Sequence, residues 1–102
     1  MTYLHTGIPV GEKLEGMDFV EPLKVWITHA SNHPYNLEFL YFEPDSAMAA
    51  AIQCETHVAY RVDDIEAAVK GKSVLWPITD LGKMKIAFIM DADAVVELAQ
   101  VL

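Results

Sequence analysis

Only one cysteine, Cys54, stands in the 102 residues, so no internal disulfide can form and a reducing compartment is expected. Basic side chains are scarce as well: seven Lys and Arg face fifteen Asp and Glu, a formal net charge of −8. That balance argues against gripping nucleic-acid phosphates, which takes clustered Lys and Arg, and against an anionic membrane surface. It fits a charge that keeps a small protein in solution. No apolar run approaches the roughly 18 residues of a membrane-spanning helix. The first residues, MTYLHTGIPVGEK, lack the charged start and long apolar run of a secretory signal. A cytoplasmic location, with a small molecule as partner, is the resulting expectation.

What is present is an ordinary globular balance, 53% hydrophobic and 22% charged. A chain of this length fits one domain, 1–102, and buries roughly two thirds of its unfolded surface. Alternation and turn residues predict strands over 3–10, 17–20, 23–30 and 35–42. The polar turn GEKLEG (11–16) follows the first strand, SNHP (31–34) precedes the fourth, and Pro44 stops it. The run AMAAAIQ (47–53) favours helix or a short helical turn. A strand over 56–62 then leads into a helix capped by Asp63 or Asp64 and ended by Gly71. Strands over 72–78, broken near Pro77, over 84–90 and over 95–101 complete the chain.

The second half therefore reads as strand, helix, strand, strand, strand. The first half has the same strands with the helix reduced to GEKLEG. HTGIPV echoes HVAYRV, and NLEFLYF echoes VELAQV. A displacement of about 50 residues between the echoes points to a duplicated module, about 1–46 and 54–102. The fold class expected is α+β, built from two such modules.

Side chains alternate faces along a strand. His57 shares a face with Ala59 and Arg61, and His5 with Gly7 and Pro9, leaving Leu4, Ile8 and Val10 opposite. Glu38 falls with Leu40 and Phe42, and Glu97 with Val95 and Ala99. Each of these polar residues interrupts an otherwise apolar strand, and a buried carboxylate is costly unless paired or bound to a metal. One His and one Glu from each half make a set of two nitrogens and two oxygens. Such a set suits Zn, Ni, Co, Mn or Fe with positions left open. His29 and His33, at a strand end and a turn, are not expected to be ligands.

With HTGIPV, NLEFLYFEPDS, THVAYRVDDIEAAVKGK and MKIAFIMDADAVVELAQ in view, the chain resembles the vicinal oxygen chelate superfamily. That group holds glyoxalase I, the bleomycin-resistance proteins and the extradiol dioxygenases. The resemblance covers nearly the whole chain and is most specific in HVAYRVDDIEAA. It implies two βαβββ-type modules, the first with a reduced helix, forming a half-open, cupped mixed sheet around a divalent metal, with ligands at His5, Glu38, His57 and Glu97. The chain departs from the pattern where the first helix has no room. The modules of that family pair within a chain or across a dimer, so either arrangement is open here. A homodimer is expected, because the short first half leaves sheet edges to cover.

Three functions follow as expectations. The first is a metal-dependent lyase, isomerase or epimerase that moves a proton next to a carbonyl, with Glu38 or Glu97 as the base. In it Arg61, the sole arginine, would grip an anionic group of the substrate, or else lie on the rim in a surface ion pair. The second is a ring-cleaving oxygenase on iron, against which a fourth ligand counts. The third is a metal-free binding module, in which Trp26, Trp76, Phe39, Phe42 and Tyr60 line a cleft for a planar ligand, or else form core. Phe42 and Trp76 are the aromatic residues expected to contact a substrate.

Overall fold

The computed structural model describes residues 1–102. Strands β1 (Thr2–Pro9), β2 (Asp18–Val20), β3 (Val25–Ile27) and β4 (Leu37–Phe42) form the first half. After the short helix α1 (Ala50–Cys54) come β5 (His57–Arg61), helix α2 (Ile65–Val69), β6 (Ser73–Asp80), β7 (Met84–Asp91) and β8 (Ala94–Val101). All eight strands make one curled mixed sheet in the order β2-β3-β4-β1-β5-β8-β7-β6. Each half has the same path: its first strand lies parallel to its last, β1 to β4 and β5 to β8. Within the sheet the halves join only where β1 and β5 pair antiparallel, and the whole curls into a half-barrel.

The alternation of β7 and β8 separates two cores. Ile86, Phe88, Val95 and Ala99 point into the cup, where they pack with Leu23, Val25 and Leu40. Ala87, Ile89 and Leu98 point outward, where Ile65 of α2 covers them. Asp64 caps α2, its carboxylate accepting the Ala67 N–H at 3.2 Å. The Ile65 N–H, which that cap leaves free, donates to the Gln100 side chain at 2.9 Å. No helix covers the convex face of the first half. The polar turn after β1 leads directly to β2, as its length predicts.

Helix α1 is more than a link. Ile52 is fully buried, and with Met48 it belongs to the same inner core as Leu40 of one half and Val95 of the other. Two local readings change. The strand expected over 23–30 shrinks to Val25–Ile27, because Glu21–Leu23 form a 3-10 turn and Lys24 takes a left-handed φ of 52°. The strand over 72–78 runs on to Asp80 through register shifts on both sides of Trp76, so Pro77 bends it without ending it.

Candidate metal centre

Sheet register explains why four distant residues meet. His57 stands beside Gly7, and Gly7 beside Glu38. One row over, His5 stands beside Ala59, and Ala59 beside Glu97. Each His and Glu of a row therefore lie two strands apart, with a very small residue between them. Side chains of that length lean together over the gap. The two rows repeat each other across the β1–β5 seam.

An irregularity in β1 aims one of them. Tyr3 pairs with Tyr60 and His5 with Ala59, so Leu4 is an extra residue against an uninterrupted β5. The bulge puts Leu4 on the same cavity as His5, where plain alternation set it opposite. Gly7 has a different reason. A Cβ on it would sit 2.7 Å from His57 Nδ1 and closer still to Cε1 and Nε2. The imidazole lies directly on the Gly7 backbone. Phe88 holds the ring from the side, edge-on at 5.1 Å between centroids.

The polar atoms form an alternating chain. His5 Nε2 is 3.3 Å from Glu38 Oε1 and 3.3 Å from Glu97 Oε1, and His57 Nε2 is 3.1 Å from the same Glu97 oxygen. All four ligand atoms lie within 4.8 Å of one another. Ligands about 2.1 Å from a common ion are separated by about 3.0 to 3.4 Å in octahedral or tetrahedral edges, which matches the contacts within this chain of atoms. His5 Nε2, though near both oxygens, is not directed along a hydrogen bond, and it is buried. A buried nitrogen between two carboxylates without a hydrogen bond fits a place for a cation. The His/Glu group could thus hold a metal ion, and it assembles within one chain. His57 Nδ1 is also buried without a partner, against the glycine backbone.

Without a cation the group is held together by its own charges. Burial alone lowers the His5 pKa, but close contact with Glu38 and Glu97 and their negative charge raise it from 6.5 to about 10. Burial alone raises the Glu97 pKa, but the two histidines bring it down from 4.5 to about 2. Both shifts favour an imidazolium between two carboxylates, and a metal would have to displace that proton.

The group sits on the floor of a cavity of about 600 Å³, the size of a small-molecule site. Its walls are mainly aliphatic, with Leu23, Val25, Ile27, Leu40 and Ile86 among them, and Phe88 is their one aromatic ring. His5, Glu38 and Glu97 reach the cavity, whereas His57 is sealed behind them with no exposed side-chain area. Arg61, Phe42 and Trp76 are not brought to this wall. Arg61 is exposed at the end of β5 in a separate cleft with Met1, Thr2 and Asp63. Phe42 and Trp76 pack against the inner core, the indole N–H of Trp76 donating to Thr79 Oγ1 at 2.9 Å. Trp26, Phe39 and Tyr60 also lie outside the wall. His29 reaches the cavity rim, where it pairs with Asp18, and His33 accepts the Tyr35 N–H through Nδ1. Sequence reasoning passed over Gly7 and Lys83. A glycine between β-formers inside a strand is the signal that marks the first.

No helix of the chain is long and apolar enough to cross a membrane. No family model matches the sequence, and no curated protein matches it with significance. Among solved structures, the chain is similar to a hypothetical protein, BH1468 from Bacillus halodurans C-125, with a TM-score of 0.61 and 20% sequence identity. The match covers 97% of this chain and 93% of that one. At this identity the likeness establishes the shared half-barrel fold.

Proposed function

We propose that the protein is a metal-dependent lyase, isomerase or epimerase of the vicinal oxygen chelate type, acting on a small carbonyl compound. The observation that carries this reading is the convergence of His5, Glu38, His57 and Glu97 on one point of the cavity floor. The echoing sequence segments and the repeated strand path support the family. A divalent ion bound there would act as a Lewis acid for negative charge developing on two neighbouring substrate oxygens. His57 and Glu97 are the fixed pair: the one is sealed, the other is held by both histidines. Glu38 has a single contact, His5, and faces the cavity, so it is the better-placed base for the proton next to the carbonyl. The aliphatic walls would reduce competition from water at that proton.

Metal analysis of the wild type beside His5→Ala and Glu97→Ala tests the site. One equivalent in the wild type, lost in both variants, supports it; metal retained in both removes it. Deuterium exchange from solvent into candidate carbonyl compounds then tests the chemistry. Glu38→Gln is expected to abolish exchange while the fold is kept.

A further inference from the structure

The cavity has one more chemical feature. Of the seven basic residues, Lys24, Lys72 and Lys85 form ion pairs, and Lys13 lies over the Trp26 ring at 3.8 Å. Lys83 makes no ion pair, and it is the only Lys or Arg on the cavity wall. It sits in the tight β6–β7 turn, where Leu81 N–H donates to the Met84 carbonyl at 2.8 Å and Gly82 N–H to Asp80 Oδ1 at 2.7 Å. Its own carbonyl accepts the Leu102 N–H at 3.0 Å. The backbone is thus fixed while the ammonium is free, in a chain whose net charge is −8.

We infer that the cavity takes an anionic amphiphile: an aliphatic body along the walls, with its negative group paired to Lys83 at the mouth. The register sets its length. Glu97 stands opposite Phe88, and Lys83 lies five residues before Phe88, in the turn that leads into β7. At about 3.3 Å per residue that is roughly 16 Å of backbone, and the lysine side chain can span part of it, so the two ends of the ligand are roughly 10 to 15 Å apart. Charge points the same way. Glu38 and Glu97 at the floor repel a negative group, so it finds its complement only at Lys83. This names a substrate class for the proposed reaction, namely carbonyl compounds with an aliphatic body and a remote anionic group. It rests on the walls and on Lys83, not on the metal.

Calorimetric titration with octane-1-sulfonate and 1-octanol tests the inference, because the sulfonate is a poor metal ligand and the alcohol is matched in length. The protein as isolated is expected to bind the sulfonate about three- to tenfold more tightly than the alcohol, the range of a partly screened charge pair. Lys83→Met is expected to remove that preference while leaving the alcohol unchanged, and Lys83→Arg to restore it. Filling the cavity with Ile27→Trp, or its mouth with Val20→Trp, is expected to weaken both ligands. Equal affinities in the wild type, a preference that survives Lys83→Met, or binding that survives both tryptophan variants would overturn the inference. So would a preference that disappears when the protein is treated with EDTA, since it would place the anion at the floor. A protein found to hold no metal but showing the Lys83-dependent preference would sink the proposed reaction and leave this inference standing.

Discussion

Gly7 is the least chemically able residue of the centre, and the fold depends on it there. The His57 ring occupies the space where any side chain at residue 7 would begin. Gly7→Ala is expected to push the imidazole off its seat and weaken metal binding at least about tenfold, with overpacking costing about 1 to 3 kcal/mol of stability; metal titration and denaturant melts read the two effects. Protonation gives a second test at this scale. The raised pKa of His5 contributes stability that is full below pH 6.5 and lost as the pH rises toward about 10. The lowered pKa of Glu97 contributes stability present above pH 4.5 and lost as the pH falls toward about 2. Chelator-treated protein should therefore gain most from this cluster between about pH 4.5 and 6.5. Metal binding near neutrality should release about one proton, measurable as a buffer-dependent heat, and affinity should climb about tenfold per pH unit. The grouping of His5, Glu38, His57 and Glu97 was legible in the sequence because polar groups inside apolar strands demand a reason. Arg61, Phe42 and Trp76 were placed from face alone. Face says which side of a sheet a residue takes, not how far along the strand the cavity extends.

Single elements carry the next consequences. The alternation of β5, β7 and β8 was readable, since one period-two pattern fixes both cores. The β1 bulge was not, because an extra residue leaves no mark in an apolar strand, yet it turns Leu4 into the cavity beside His5. The short β3 was missed for a similar reason: a 3-10 turn and a left-handed Lys24 interrupt residues that all look strand-forming. Helix α1 sits at the limit of legibility, because alanines at 49–51 allow helix and only packing decides its role. Ile52→Ala removes a fully buried side chain from the core that both halves share and should cost about 2 to 5 kcal/mol in chemical unfolding. Asp64→Ala deletes only the cap of α2, a helix on the far side of the sheet from the cavity. It should cost about 1 kcal/mol and leave metal binding unchanged.

At the scale of the molecule, the two halves join through one antiparallel strand pair, the core of the cup and the α1 plug, and each contributes one His and one Glu to the candidate centre. An ion bound there by the folded form alone should add about 2.7 kcal/mol at a free concentration of 100 Kd. For a domain this small, Tm should then rise by about 10 °C or more, to be read by calorimetry with and without chelator. Neither half supplies more than two donor atoms, and two donors retain a divalent ion feebly. The grip on the ion is therefore a gauge of how well the repeats dock, and a change that loosens the docking, however remote, should loosen that grip with every donor intact.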